Sequence, residues 1–246
     1  MEQLEGRNPV AEALHAGLAV NKVLIAKGVK GGPIDKIVAI CKERKINLQW
    51  VDRVQLDRIS QTEGRHQGVI AEMAAVSYAS LSDAFAKAAQ SGRDLLLVML
   101  DGVEDPHNLG SVIRTAEAAG AHGVIVPRHR AVGATAAVAR ASAGALAHLP
   151  IIRVTNLVDT CRELKESGAF VIGADAAAER TAFQSRLTGP LVLVLGGEDK
   201  GISRLLKSKC DQLVRFPLLG QVNSLNVSVS AGLLLYEVVR QRQGLE

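Results

Sequence analysis

Aromatic residues are scarce in this 246-residue chain: Phe, Tyr and Trp make up 3%, with a single Trp. Recognition of a nucleic acid by rows of stacked aromatics therefore has few candidates. Cysteine is scarce too. Cys41, Cys161 and Cys210 stand alone, without CxxC or His-pair spacing, which predicts buried reduced thiols and excludes a disulfide framework. None of the six histidines lies at metal-ligand spacing from another ligand, so no metal is expected. The longest apolar runs, such as LLLVML at 95–100, are far too short to span a membrane. The first residues, MEQLEGRNPV, have neither the basic n-region nor the apolar h-region of a secretory signal, so a cytoplasmic location is expected. Internal repeats, low-complexity stretches and a basic tail are also missing.

What the chain does have is the balance of a globular α/β protein. Hydrophobic residues make up 48% and charged residues 22%, and the net charge is +4. Residues 1–75 carry 11 Lys/Arg against 9 Asp/Glu, and 76–246 carry 18 against 16. Any RNA-binding surface must therefore be folded and local. Helix and strand patterns alternate from end to end. NPVAEALHAGL (8–18) reads as a helix capped by Asn8 with Pro9 at its first position, followed by strand KVLIA, helix PIDKIVAICKERK, strand NLQWV, a short polar helix and strand QGVIAEMA (67–74). A connector and an Ala-rich helix follow at 76–94. From Leu95 a more apolar series begins, with strands at LLLVML, GVIVP (123–127), 150–154, 170–174, 191–195 and 213–216. Helices are predicted at 108–120, 156–167 and 227–243. The pattern predicts an α/β fold with a parallel sheet covered on both faces, and three regions: 1–75, a linker at 76–94, and 95–246.

Three loops could carry chemistry. DGVEDPHNLGSVIR (101–114) follows a strand and opens a helix, with Asn108 at the expected N-cap and Arg114 nearly two turns on. An Arg in that place could hold a phosphate, or could be an ordinary solvated side chain. GGEDKG (196–201) ends the strand LVLVL. It is neither a Walker A loop nor GxGxxG, which removes the usual signals for a nucleoside triphosphate or a dinucleotide. Alone, it requires only that backbone turn sharply or approach something closely. NSLN (223–226) opens the last helix, with more Asn and Ser than a single cap needs.

Taken in order, DGVEDPHNLGSVIRTAEAAGAHGVIVP, LVLGGEDKGIS and RFPLLGQVNSLNVSVSAG resemble the three signature motifs of the SPOUT RNA 2′-O-ribose methyltransferases, in their TrmH/SpoU branch. Upstream, GRNPVAEAL (6–14) and RHQGVIAEM (65–73) are similar to the substrate domain of the bacterial 23S rRNA guanosine 2′-O-methyltransferases, so the resemblance covers nearly the whole chain. It implies a small, ribosomal protein L30e-like α/β substrate-binding domain ahead of a SPOUT domain with a deep trefoil knot. It also implies a homodimer to which the helix 227–243 contributes, 23S rRNA as partner, and S-adenosylmethionine as cofactor. The cofactor would be held largely by backbone at Gly196, Phe216 and Leu225, and Asn108, Arg114, Glu198, Ser224 and Asn226 would surround the reacting centre. Arg114 would hold the neighbouring phosphate and stabilise charge on the 2′-oxygen, since a guanidinium keeps its proton in proteins. Glu198 would orient Arg114 or take part in proton removal, which leaves the base open. Arg7, Lys30, Lys42, Arg44, Lys45 and Arg65 are the candidate phosphate contacts of the first region. A tRNA ribose methyltransferase and a non-catalytic RNA-binding or ribosome-assembly factor are the alternatives; a nicotinamide-dependent oxidoreductase lacks its fingerprint.

Overall fold

The computed structural model describes residues 3–245 except 16, 63, 74–77, 130, 134 and 199. The end of the strand expected at 67–74, the first residues of the expected linker and Asp199 of the glycine loop thus lie outside the described residues. The chain divides into two compact units, Met1–Ser77 with Ala134–Arg140, and Tyr78–Gly133 with Ala141–Glu246.

In the first unit, strands β1 (Gln3–Glu5), β2 (Val20–Ala26), β3 (Asn47–Val51) and β4 (Val69–Met73) form one sheet in the order β1-β4-β2-β3. Helices α1 (Arg7–His15), α2 (Gly32–Glu43) and α3 (Arg53–Ile59) cover it. Alternation along β2 sets the two faces: Val23 and Ile25 pack with Val10 and Leu14 of α1 and Ile34 and Ile37 of α2, while Leu24 and Ala26 pack with Leu56 of α3. The sheet is mixed, not parallel throughout as expected, because β4 runs antiparallel to β2 and pairs on its other side with β1. Nor does Asn8 cap α1. The carbonyl of Gly6 takes the first helical bond, from the N–H of Val10, and the positive φ of Gly6 (101°) lets the chain leave β1 straight into the helix. Arg44, a candidate phosphate contact, is already engaged: its guanidinium donates to the carbonyls of Leu14, Gly17 and Leu18 past the end of α1.

The second unit holds α4 (Leu81–Ser91), β5 (Leu96–Asp101), α5 (Pro106–Ala118), β6 (Gly123–Pro127), β7 (Ile151–Val154), α7 (Leu157–Glu166), β8 (Phe170–Ala174), β9 (Leu191–Gly196), α8 (Arg204–Lys207), β10 (Gln212–Val214) and α9 (Val227–Gln243). Between β6 and β7 lies the short α6 (Ala136–Ala141), whose Ala139 packs with Ala13, Leu18 and Met73 of the first unit's core. The six strands are all parallel, in the order β10-β8-β9-β5-β6-β7. Every residue of the runs Leu96–Leu100 and Leu191–Leu195 is buried, as the central strands of a sheet covered on both faces require. The Ala-rich helix α4 starts with a Ser80/Asp83 capping box and lays Ala84 and Ala88 into the core beneath the sheet. α9 packs against α5 on the other side, close enough that Gly232 faces the methyl of Thr115.

Candidate active site

Because all six strands run the same way, their carboxyl ends share one edge of the sheet, where an α/β fold leaves loop backbone free for a ligand. Two cavities open there, on opposite sides of the end of β9. The smaller, of about 250 Å³, lies toward β8 and β10, and its lining includes Gly196, Glu198, Phe216, Leu218, Ser224 and Leu225. The larger is a groove of about 940 Å³ toward β5, β6 and β7, whose lining includes Glu104, Asn108, His129, Glu198, Lys200 and Arg204. Glu198 borders both.

Three of the side chains picked out in the sequence meet at this border. Glu198 Oε1 accepts from Asn226 Nδ2 at 2.6 Å and from Asn108 Nδ2 at 3.1 Å, and Asn226 Nδ2 also donates to Asn108 Oδ1 at 3.0 Å. Asn226 is at the same time the N-cap of α9, its Oδ1 accepting from the N–H groups of Ser228 and Val229 and from the Ser228 hydroxyl. Capping and clustering are thus two ends of one amide. Asn108 is not a cap. Asp105 caps α5, accepting from His107 N–H, and Pro106 takes the first helical position. Asn108 therefore sits one turn inside the helix with its side chain free to reach Glu198. Glu198 Oε2 and one N–H of Asn108 Nδ2 have no partner among the described residues.

Arg114 stays apart. It is exposed, lines neither cavity and has no hydrogen-bond or ion-pair partner among the described residues. Six residues along α5 place it ~9 Å from Asn108 down the helix axis and rotated by about 120°. Ser224 lines the smaller cavity without joining the cluster.

The glycine loop explains itself from within the chain. A Cβ on Gly196 would stand 1.9 Å from the carbonyl carbon of Gly201 and 2.1 Å from the nitrogen of Ile202, and one on Gly197 would meet the carbonyl oxygen of Gly102 at 2.1 Å. Glycine is required here by the protein's own backbone, so Gly196→Val, the obvious substitution for blocking a ligand, would disrupt the loop itself.

The smaller cavity has apolar walls from Leu195, Val214, Phe216 and Leu218, and the Phe216 ring meets Phe183 edge-on at 5.9 Å between centroids. The main-chain N–H groups of Leu218 and Leu225 have no hydrogen-bond partner among the described residues. Such groups at half-buried positions are donors waiting for an acceptor. The sequence reading missed two further lining residues, Asp175 and Lys207, which form an ion pair. Burial alone would raise the Asp175 carboxyl, but hydrogen bonds from the Lys207 ammonium and the Ala177 N–H hold it below the usual carboxylate range. Its place one residue past the apolar run FVIGA, at a strand's carboxyl end, was the available signal.

No group of three or more His, Cys, Asp or Glu side chains among the described residues is arranged to hold a metal. The thiols are not poised for chemistry either. Burial pushes Cys41 and Cys161 up, and Cys210 up to about 12. Among the described residues no helix is long and apolar enough to cross a membrane.

Known proteins share this architecture. Residues 3–79 match the RNA 2′-O ribose methyltransferase substrate binding model and residues 95–236 match that of the SpoU rRNA Methylase family. A Bacillus subtilis protein named for the TrmH family of tRNA/rRNA methyltransferases is 45% identical over 237 residues, covering 96% of this chain and 94% of the relative. Among solved structures, the SpoU methyltransferase AviRb from Streptomyces viridochromogenes, in complex with the cofactor AdoMet, superposes with a TM-score of 0.75 at 27% identity, covering 99% of this chain and 91% of its own. The AdoMet-bound rRNA methyltransferase from Sinorhizobium meliloti follows at 0.67 and 27%, covering 98% and 87%. With both of its regions matched in order and nearly its whole length aligned, this chain belongs to the SpoU family of RNA methyltransferases, with an N-terminal substrate-binding domain preceding the methylase domain.

Proposed function

We propose that this chain is a cytoplasmic, homodimeric methyltransferase that uses S-adenosylmethionine to methylate the 2′-hydroxyl of a guanosine ribose in 23S rRNA. The observation that carries the reading is the Asn108–Glu198–Asn226 cluster standing between a small cavity with apolar walls and a wide polar groove, with one carboxylate oxygen unpartnered among the described residues. The small cavity fits the cofactor: apolar side chains can enclose an adenine, and unpaired main-chain donors at Leu218 and Leu225 can meet its polar edge. Backbone at Gly196, Phe216 and Leu225 would hold it, and when bound it supplies an electrophilic methyl group. The chain's own part is alignment, which for an in-line displacement provides much of the rate. Asn108 and Asn226 fix the Glu198 carboxylate from one side, leaving Oε2 to accept the hydrogen of a ribose hydroxyl entering from the groove. Arg114, exposed, without a partner among the described residues and outside both cavities, holds a phosphate of the bound RNA next to the target nucleotide. Ser224 orients the ribose from the cavity rim.

Residues 1–75 recognise RNA, and residues 95–246 carry out the transfer, joined through 76–94. Arg7, Lys30, Lys42, Lys45 and Arg65 remain candidates for phosphate contacts. The homodimer is supported by an apolar stripe on α9, where Val229, Leu233 and Tyr236 recur at helical spacing and are 49%, 42% and 53% exposed. The trefoil knot belongs to the same proposal. Its support is the crowding of the Gly196–Gly201 loop against Gly102 and the inset position of β9 between β5 and β8. A tRNA substrate is the second reading, favoured by the joint tRNA/rRNA name of the Bacillus relative. Tritium transfer from labelled S-adenosylmethionine to rRNA and to tRNA, followed by mapping of the modified nucleotide, tests both. Label at a 23S rRNA guanosine is expected, label in tRNA alone would replace the first reading by the second, and label in neither would overturn both.

A further inference from the structure

The larger groove has walls of opposite charge, and among the described residues three of its charged side chains have no partner. On the β9–α8 side stand Lys200 and Arg204; on the β5–α5 side stand Glu104 and Asp105. Asp105 is occupied as the cap of α5, and Asp101, also in the lining, accepts from Ser203 N–H. Glu104, Lys200 and Arg204 are exposed and have no hydrogen-bond or ion-pair partner among the described residues. The Asn108–Glu198 pair lies in the same lining. A complementary ligand is anionic at one end, offers N–H donors at the other, and carries its reacting hydroxyl between them. A nucleotide turned out of its stack has that form.

The bases differ in what they can give a carboxylate. Guanine presents two adjacent donors, N1–H and N2–H, which match its two oxygens. Adenine and cytosine each place a single amino group beside a ring acceptor, and uracil places one N–H between two carbonyls, so each sets a lone pair against a carboxylate oxygen. We propose that the groove takes the target nucleotide and that Glu104 selects guanine by accepting from N1–H and N2–H, with Lys200 and Arg204 holding the adjoining phosphate. This inference rests on the methyltransferase reading for the identity of its ligand as a target, but its geometry is tested without catalysis.

The test compares guanosine 5′-monophosphate with adenosine 5′-monophosphate by calorimetry on the full chain, as wild type, Glu104→Ala and Glu104→Gln. All three should share one circular dichroism spectrum, because Glu104 is exposed. The wild type is expected to prefer the guanine nucleotide by about 10- to 100-fold, the discrimination of a good bidentate contact. Glu104→Ala should abolish the preference, Glu104→Gln should retain part of it through one accepting oxygen, and Arg204→Ala should weaken both nucleotides alike. A wild type without preference, or a preference that survives Glu104→Ala, overturns the proposal. A preference that depends on Glu104 in a chain that transfers no methyl group to any RNA upholds this site while defeating the methyltransferase reading. On an RNA substrate, replacing the target guanine by inosine, which lacks the N2 amino group, should lower kcat/KM for the wild type and leave Glu104→Ala unaffected; an equal loss in both would place the base contact elsewhere.

Discussion

At the amino end of the six-stranded sheet, most polar side-chain groups are paired, Arg242 Nε being the buried exception among the described residues. Arg242, near the end of α9, donates to the carbonyls of Asp94, Leu95 and Gly189, just ahead of β5 and β9. Gln241 donates to Ser185 carbonyl and accepts from Leu187 N–H, and the buried Glu237 binds Arg240 and Gln241. His122 accepts from Leu96 N–H through Nδ1 and meets the Ser91 hydroxyl through Nε2. The carboxyl end has the same helix at its edge and the opposite character: among the described residues, one Glu198 carboxylate oxygen, the main-chain N–H groups of Leu218 and Leu225, and the side chains of Glu104, Lys200 and Arg204 have no partner. One helix, α9, runs between the two, begun by a residue of the candidate site and closed by a clamp on the core. Rigidity supplied at the amino end lets the carboxyl end keep groups unsatisfied until a ligand arrives.

Substitutions at the two ends should therefore fail in different assays. Glu198→Ala is expected to lower single-turnover methyl transfer about 10²–10⁴-fold, with a melting temperature close to wild type. Loss of stability instead would make Glu198 a structural residue. Arg242→Ala should do the reverse. It leaves three carbonyls without their charged donor and should cost about 2–4 kcal/mol in urea unfolding, with S-adenosylmethionine affinity unchanged by calorimetry. Asn226→Ser sharpens the contrast at a residue serving both roles: the hydroxyl can still cap α9, so stability should move by less than about 0.5 kcal/mol, while loss of Nδ2 frees Glu198 and lowers turnover about tenfold. An unchanged turnover would limit Asn226 to capping.

The smallest expected effect is in pH dependence. Burial, reinforced by Arg93, Lys87 and Arg242, lowers His122 from 6.5 to about 4. The unfolded chain then takes up its proton first, so this contribution to stability is complete above pH 6.5 and is lost as pH falls toward about 4. Glu237 acts in the same direction, since its hydrogen bond from Arg240 outweighs burial and holds it below the usual carboxylate range, a gain lost when acid protonates it. Denaturant midpoints measured between pH 7 and 4 should fall less steeply in His122→Gln than in wild type; an identical slope would remove His122 from the account.

The parts of the fold that were legible in the sequence share a physical cause. Leu191–Leu195 and the run from Leu95 are buried on both faces, so their patterns are nearly continuous and apolar, and α9 was bounded correctly by a strong cap at Asn226 and Gly244 at its end. What was missed leaves little trace in a local window. β1 has three residues, strand direction has no marker in β4, and Ala134–Arg140 joins the first unit only through distant contacts. At the candidate site the loops were legible but the arrangement was not. Asp105 and Asn108 are both good caps, and only Pro106 at the first helical position decides between them. Arg44 and Arg114 are both exposed arginines in sequence terms, yet the first is bound to three carbonyls and the second to nothing described.

The amide of Asn226 has one further consequence. Its oxygen holds the N–H groups of Ser228 and Val229 while its nitrogen holds Glu198 and Asn108, so its orientation is fixed from both sides. Opening of the first turn of α9 and loosening of the cluster are consequently a single local unfolding event. Any ligand that orders Glu198 should slow deuterium uptake at the Ser228 and Val229 amides, making the first turn of α9, whose Val227 borders both cavities, a direct reporter of occupancy.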